Sequence, residues 1–171
     1  HHSEADGEEL MIFAIAAVVI FILLYLLFFL ENRRFVVAKE SIEQKNIPSA
    51  FTIVQVSDLH DREFGTNQET LLKAIRNANP DCIVITGDLF NRRNKNAYSH
   101  AYEFVKGAVR IAPVVFAEGN HECSLKEIGE HYIREIEKFG VHVLRDAYID
   151  YPHFRLIGLK QFASPEVLSS M

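Results

Sequence analysis

The feature that most constrains this chain is a long apolar run near its N-terminus. Residues 10–30, LMIFAIAAVVIFILLYLLFFL, contain no charged residue, no glycine and no proline. About 20 consecutive apolar residues are enough to cross the hydrocarbon core of a bilayer as a helix. The run therefore predicts a transmembrane helix. It divides the N-terminal part of the chain into an acidic tail at 1–9, the span at 10–30, and a juxtamembrane linker with an edge strand at 31–50.

A secretory signal peptide is the alternative interpretation of this run. The apolar core of a signal peptide is only about 7–15 residues long, with basic residues before it and a small-residue cleavage site after it. Here the preceding residues, HHSEADGEE, are acidic, and the following residues are ENRRF. The pattern therefore favours an uncleaved, single-pass membrane anchor.

The basic residues next to the run predict its orientation. Arg33, Arg34 and Lys39 follow the run, and no Lys or Arg precedes it. The positive-inside rule then places the following domain in the cytoplasm. Because the chain does not begin with Met, basic residues further upstream would reverse this balance, and the extracytoplasmic side stays open as an alternative.

Charge and cysteine content argue against two classes of protein. The net charge is −5, and four acids lie in the tail, so the rest of the chain carries only −1. These acids are Glu4, Asp6, Glu8 and Glu9. A chain with this balance has no basic footprint for nucleic acid. Two cysteines, Cys82 and Cys123, are too few for a disulfide scaffold.

After the anchor, strand-like and helix-like patterns alternate. Apolar runs predict strands at 51–56, 82–86, 113–117 and 141–144, and the first two of these strands are apolar enough to be buried on both faces. Amphipathic patterns predict helices at 66–78, 97–110 and 125–139. From residue 147 the sequence AYIDYPHFRLIGL predicts two short strands around a Tyr-Pro turn.

Local signals define the ends of these helices and their buried faces. Thr66 and Glu69 have the spacing of a capping box, and the Asn-Pro pair at 79 and 80 ends the first helix. Gly140 ends the third helix. The predicted inward residues are Leu71, Leu72, Ile75 and Ala78 in the first helix, Ala101, Phe104, Val105 and Ala108 in the second, and Ile128, Tyr132, Ile133 and Ile136 in the third.

This alternation is typical of an α/β fold. Successive strand-helix-strand units form right-handed crossovers, which build a mainly parallel sheet with helices on its faces. Sheets of this kind bind ligands at the carboxyl ends of their strands. The residues at those ends are therefore the candidates for a functional site.

Polar side chains follow three successive strands at the point where each strand ends. The first strand continues into SDLHD with Asp58 and His60, the second into GDLF with Asp88, and the third into EGNHE with Asn120 and His121. Carboxylate, imidazole and amide groups suit divalent metals of borderline hardness such as manganese, iron or zinc. The alternative, polar turn residues without a metal, is disfavoured because three strands deliver such groups to one edge.

The motifs SDLH, GD and GNHE, each after an apolar strand, resemble those of the calcineurin-like metallophosphoesterase family. The similarity is greatest to bacterial members in which a single N-terminal span precedes the catalytic domain. It implies a four-layer α/β/β/α sandwich over residues 51–171, with two divalent metal ions. It also implies that Asp58 and His60 hold the first metal, that Asp88 bridges both metals, and that Asn120 holds the second.

The same resemblance implies the reaction. Its expected form is hydrolysis of a phosphoester by a hydroxide that the metal ions activate, with His121 facing the phosphate as proton donor or charge stabiliser. The alternative role for His121 is to orient Asn120. Arg92 and Arg93 in NRRNK are candidates for phosphate contact, although a solvated loop is favoured there. The anchor favours a lipid or envelope-derived substrate over other phosphoesters.

The chain also departs from the family pattern. A further metal-binding histidine and a Gly-His-x-His block are expected in the family, and neither is found here. His131, His142 and His153 do not end strands and are predicted to be surface or core residues. We therefore expect the first half of the sandwich, with too little sheet for two packed layers and low activity. The alternative function is a catalytically inactive, truncated membrane protein with residual metal binding.

Overall fold

The computed structural model of the protein describes residues 2–31, 34–45, 47–91 and 98–160. The chain forms two compact units, His1–Val37 and Ala38–Met171. Arg33, Arg92 and Arg93 lie outside the described residues, and so does the predicted start of the second helix at residue 97. The predictions made for these residues therefore stay predictions.

The first unit contains one helix, α1 (His2–Glu31). Residues 2–9 of the acidic tail belong to this helix, and the predicted division of the chain stays a prediction. Within the helix, Met11–Phe29 has a mean hydropathy of 3.2 and is long and apolar enough to cross a membrane, a property that membrane anchors and signal sequences share. Residues 34–45 and 47–50 form no strand, so the edge strand predicted for the linker is not found among its described residues.

The second unit is built around a four-stranded parallel sheet. Its strands are β1 (Ile53–Val56), β2 (Cys82–Thr86), β3 (Val114–Ala117) and β4 (His142–Leu144). They lie in the order β1-β2-β3-β4, which is also their order in the chain. The predicted strands and the predicted parallel arrangement are both confirmed.

The prediction that β1 is buried on both faces is wrong. Ile53 is 45% exposed, and Gln55 is exposed as well. Within the described sheet, β1 pairs only with β2 and is therefore an edge strand, whereas β2 lies between two neighbours. In β2, Cys82, Ile83 and Ile85 are buried, as the apolar run predicts.

Four α-helices follow α1 in the described part of the chain. They are α2 (Glu69–Ala78), α3 (Ser99–Ala108), a short α4 (Asn120–Ser124) and α5 (Glu127–Lys138). The residues predicted to face inward on α2 and α3 are buried, except Ala78, which is partly buried. In α5, Ile133 and Ile136 are buried, but Ile128 is 39% exposed. Because α5 begins two residues later than predicted, Ile128 lies in its first turn, and the preceding Leu125 is buried instead.

The predicted capping box at Thr66 and Glu69 is also wrong. Residues Thr66–Gln68 form a separate 3₁₀ turn, and α2 begins at Glu69. Asn67 and Gln68 have left-handed φ values of 53° and 63°, so the chain bends before the helix starts. Glu69 is therefore the first residue of the helix. Its backbone N–H donates to the carbonyl oxygen of Thr66, and no side-chain hydrogen bond caps the start of the described turn or of α2. The C-terminal signal is correct, since α2 ends at Ala78 before Asn79.

A two-stranded antiparallel hairpin, β5 (Ala147–Asp150) and β6 (Arg155–Gly158), covers one face of the sheet. The buried sheet residues Cys82, Val115 and Leu144 pack against Ile149 and Leu156 of the hairpin. Right-handed crossovers that always advance in the same direction place their helices on one face of a sheet, which leaves the other face for this hairpin. The hairpin thus starts a second β layer, and the expectation of too little sheet for two layers is corrected.

The contact between hairpin and sheet makes Gly158 intolerant of a side chain. A Cβ at Gly158 would overlap the Cβ of Leu144, and because both atoms are attached directly to backbone, no rotamer change relieves the overlap. We expect Gly158→Ala to lower the free energy of unfolding by about 1–3 kcal/mol, the usual cost of overpacking. Urea denaturation of the full chain in detergent, followed by circular dichroism, measures the change.

The control for this prediction is Ile157→Val on the same strand. Ile157 is 39% exposed, so its variant should change the free energy of unfolding by no more than about 0.5 kcal/mol. Equal effects of the two variants would show that the hairpin does not pack against Leu144.

Candidate metal centre

The loops that follow β1 and β2 are joined by backbone hydrogen bonds. The N–H of His60 donates to the carbonyl oxygen of Asp88 at 2.9 Å, and the N–H of Asp61 donates to that of Leu89 at 3.0 Å. A longer bond of 3.4 Å runs from the N–H of Asp58 to the carbonyl oxygen of Gly87. The pairing of the two strands therefore continues into the motif loops and fixes the first two motifs relative to each other.

Three of the predicted site residues have left-handed backbone conformations. The φ values are 58° at Asp58, 50° at His60 and 51° at Asp88. For a residue with a side chain this region is sparsely populated, and it costs about 1–3 kcal/mol where the surroundings impose it. Strain of this kind concentrates at functional sites. In this protein the strained residues are three polar residues at the carboxyl edge of the sheet.

The loop after β3 lies directly against the loop after β2. A Cβ on Gly87 would overlap the backbone of Gly119, and a Cβ on Gly119 would overlap the carboxylate of Asp88. Gly87 also has a φ of 89°, which favours glycine. Two glycines thus allow the second and third motifs to approach within backbone contact.

Asn120 and His121 lie in the short helix α4, which the strand pattern did not predict. The backbone N–H of His121 donates to Asp88 Oδ1 at 3.0 Å. With its nitrogen turned toward Asp88, the side-chain amide of Asn120 donates to Oδ2 at 2.8 Å and to Oδ1 at 3.0 Å. The first two residues of α4 therefore both donate hydrogen bonds to the carboxylate of Asp88.

All five predicted site residues converge at this edge. One ligand atom each of His60, Asp88 and His121 lie within 4.8 Å of one another. The two imidazole rings have their centroids 4.5 Å apart, and Asp58 Oδ1 lies 3.6 Å from His60 Nε2. The structure thus brings the five side chains together, whereas the division of roles among them stays a prediction.

The side chains at this edge fit a divalent cation. Within the described ranges, Nδ1 of His60 is buried and has no hydrogen-bond partner. Imidazole, carboxylate and amide oxygen are donors that borderline divalent metals accept.

Glu122 is the residue of this region whose role the sequence did not predict. Its side chain is 2% exposed. Oε2 accepts hydrogen bonds from the backbone N–H groups of Asp88 and Gly119, both at 2.9 Å, and Oε1 accepts one from Phe90 at 3.0 Å. In a capping box, a glutamate at the third helical position accepts the backbone N–H of the residue that precedes the helix. Glu122 makes this half of the box with Gly119, which has no side chain to make the other half.

The loop after β4 is held at the same edge by an ion-pair network. Arg145 donates to Glu118 at 2.6 Å and to Glu130 at 3.0 Å. Burial alone would lower the pKa of Arg145, but its hydrogen bonds to Glu118 and Glu130 outweigh burial and raise that pKa. Glu118 immediately precedes the GNHE motif, so the network attaches this motif to the next strand along the sheet.

Other titratable groups near the site do not join it. Burial, with the nearby carboxylates of Glu118 and Glu122, raises the pKa of the Cys123 thiol, which favours its protonated form. Among the described residues, the group that could hold a metal consists of His60, Asp88 and His121 and does not include Cys123. Burial also raises the pKa of Asp61, whose Oδ1 accepts the N–H of Ala101 at the start of α3. As predicted, the histidines without motif context are surface residues, namely His131, His142 and His153.

The ion-pair network predicts a difference between two arginines. Arg145 is 27% exposed and its partner Glu118 only 9%, so Arg145→Met leaves a nearly buried carboxylate unpaired. We expect a loss of about 2–3 kcal/mol in the free energy of unfolding, somewhat below the cost of breaking a fully buried pair. The matched control is Arg155→Met, which breaks the exposed pair with Asp150 and should change stability little. Equal losses in urea denaturation would contradict the prediction.

Comparison with known proteins identifies the family. The sequence model of the family described as calcineurin-like phosphoesterase matches residues 51–166. A protein of Moraxella catarrhalis strain BBH18, named as a probable cyclic nucleotide phosphodiesterase, is 35% identical over 102 residues, which cover 56% of this chain and 35% of that protein. The chain thus spans about a third of the relative's length, and no solved structure matches it significantly. Since the family match covers more than half of the chain and includes all three motifs, this chain belongs to the calcineurin-like phosphoesterase family.

Proposed function

We propose that this chain is part of a membrane-anchored, metal-dependent phosphoesterase. The observation that carries the proposal is the grouping of His60, Asp88 and His121 at the carboxyl edge of the sheet, with their ligand atoms within 4.8 Å of one another. This grouping lies inside the residues that match a phosphoesterase family. Geometry and family membership therefore support the same chemistry.

Four side chains would hold two divalent ions, which we infer to be manganese, iron or zinc. Asp58 and His60 would hold the first, Asp88 would bridge both, and the amide oxygen of Asn120 would hold the second. When bound, such ions make water nucleophilic near neutral pH and neutralise phosphate oxygens. The Asp88 carboxylate suits the bridging position because it lies between the loops after β1 and β3 and contacts α4.

His121 is our candidate for the proton donor. Its backbone N–H is fixed by Asp88 Oδ1 at 3.0 Å, and its ring lies 4.5 Å from that of His60. The side chain is only partly buried, so a substrate can reach it. An imidazole in this position can give a proton to the leaving oxygen of a phosphoester.

The substrate we propose is a phosphodiester. The name of the Moraxella catarrhalis relative, a probable cyclic nucleotide phosphodiesterase, supports this class. An anchor would hold residues 51–171, the proposed phosphoesterase domain, next to a membrane, which favours a lipid or envelope-derived substrate. The positive-inside rule supports a cytoplasmic position for this domain.

The anchor makes a direct prediction about fractionation. Because Met11–Phe29 is long enough to span a bilayer and has a mean hydropathy of 3.2, the expressed chain should stay with membranes after carbonate extraction, at its full mass by mass spectrometry. In a control variant, Ile20→Arg with Leu24→Arg, each charge costs about 2.5–3.5 kcal/mol at the centre of a span, so this variant should be extracted. A shortened mature chain would instead support a cleaved signal peptide.

The proposed roles of Asp88 and His121 can be separated. Asp88→Asn removes the carboxylate that neutralises both cations, so it should lose bound Mn²⁺ and reduce hydrolysis of bis(p-nitrophenyl) phosphate by at least about a hundredfold. His121→Ala should keep the metal and lose only turnover. Metal content is measured by elemental analysis, and turnover by release of p-nitrophenolate from the full chain in detergent.

Two other outcomes of this experiment are informative. Equal loss of metal in both variants would make His121 a metal ligand and refute the division of roles. Binding of Mn²⁺ by the unmodified chain without any hydrolysis would support the alternative of an inactive membrane protein with residual metal binding.

A further inference from the structure

Glu122 is the only acidic side chain in the described part of the chain that is almost completely buried. The proposed reaction gives it no role. Burying a carboxylate is costly unless hydrogen bonds replace those it made to water. Three backbone N–H groups, those of Asp88, Phe90 and Gly119, supply such bonds at 2.9–3.0 Å.

The three donors belong to two different loops. Asp88 and Phe90 follow β2, whereas Gly119 follows β3. Their N–H groups bond to the side chain of Glu122 and do not take part in the backbone pairing of the sheet. Two loops that carry different motifs thus share one acceptor group, which sets the distance between them.

Asp88 is held from both ends by α4. Its backbone N–H donates to the carboxylate of Glu122 at 2.9 Å, and its own carboxylate accepts the backbone N–H of His121 at 3.0 Å. Its φ of 51° is an unfavourable conformation that these two bonds help to stabilise. The direction of the Asp88 carboxylate therefore depends on Glu122.

We propose that Glu122 is a positioning residue of the metal centre, and that its carboxylate locks Asp88 against Asn120 and His121. The proposal rests on the proposed function in one respect, namely that these side chains serve a divalent cation. Glu122 itself touches neither the metal nor the substrate in this proposal. It acts through the geometry of Asp88.

The hydrogen-bond pattern makes Glu122→Gln a selective test. Both carboxylate oxygens of Glu122 accept N–H groups, Oε1 from Phe90 and Oε2 from Asp88 and Gly119. A glutamine has the same shape but only one acceptor oxygen, so its NH₂ group must face at least one backbone N–H. The variant therefore loosens the junction of the two loops without removing side-chain volume.

The experiment is a titration of the full chain in detergent with Mn²⁺, with the free ion followed by electron paramagnetic resonance. We expect Glu122→Gln to bind Mn²⁺ about 10- to 100-fold more weakly, which is the usual effect of losing a residue that orients a metal ligand. The visible spectrum of bound Co²⁺ should also change, because the Asp88 carboxylate is differently oriented. A purely structural role would leave the spectrum of the bound ion unchanged.

The matched control is Gln68→Glu, the reverse exchange at the other buried polar side chain of the described residues. Gln68 accepts the N–H of Phe64 and donates to the carbonyl oxygens of Arg62 and His100, and none of these three hydrogen bonds involves Asp88. We expect this variant to melt at a lower temperature but to keep the Mn²⁺ affinity and the Co²⁺ spectrum of the unmodified chain. Equal loss of affinity in both variants would overturn the proposal.

Failure of the positioning role and failure of the proposed function give different results. Normal Mn²⁺ affinity in folded Glu122→Gln overturns the positioning role and leaves the function standing. Absence of Mn²⁺ binding by the unmodified chain overturns the metal-dependent function. In that case, or if Glu122→Gln does not fold, amide hydrogen exchange of the unmodified chain in EDTA tests the positioning role of Glu122. The amides of Asp88, Phe90 and Gly119 should exchange as slowly as those of β2, and exchange at exposed-loop rates would refute the lock.

Discussion

The contact between the loops after β2 and β3 is the constraint on which the metal centre depends. Gly87 and Gly119 touch where any Cβ would overlap backbone or the carboxylate of Asp88. This approach brings the aspartate of one motif against the asparagine and histidine of the next. A sheet alone would leave the loops of neighbouring strands about 5 Å apart and free to diverge. The two glycines and the hydrogen bonds of Glu122 hold the loops after β2 and β3 in direct contact.

The carboxyl edge of the sheet contains several unfavourable features, which its hydrogen bonds stabilise. Asp58, His60 and Asp88 have left-handed backbones, and Glu122 is a buried charge. Each would be destabilising in isolation. The hydrogen bonds that satisfy the Glu122 carboxylate fix the loops after β2 and β3, and backbone hydrogen bonds to the loop after β2 hold Asp58 and His60. The ion pairs of Arg145 extend the arrangement to the loop after β4. The carboxyl edge therefore works as one connected network in which the loss of one member leaves buried polar groups of another unsatisfied.

The sequence predicted the parts of this structure that depend on pattern. Apolar runs such as CIVIT form strands because the sheet buries their side chains. The carboxyl ends of parallel strands lie at one edge of a sheet, and this predicts that Asp58, Asp88 and Asn120 lie at the same edge, as the structure has them. Contacts between a side chain and backbone that is distant in the chain produce no periodic pattern in the sequence, so they cannot be predicted in the same way. Thr66 and Glu69 have the spacing of a capping box, but the left-handed backbones of Asn67 and Gln68 prevent it. Glu122 bonds to the N–H of Gly119, and because Gly119 has no capping side chain, the sequence does not show the usual capping-box pattern there.

Metal binding and the stability of this edge should be coupled. A cation between Asn120 and Asp88 would require the amide oxygen to face the carboxylate, whereas without a cation the amide nitrogen donates to it. The two orientations differ by a rotation of one side chain, while the backbone that carries them is already fixed by Glu122. A metal ion that binds only the folded state increases the stability of that state. When the loops are already ordered before binding, little of the binding free energy is lost in ordering them. The buried carboxylate of Glu122 therefore contributes to affinity without contacting the ion.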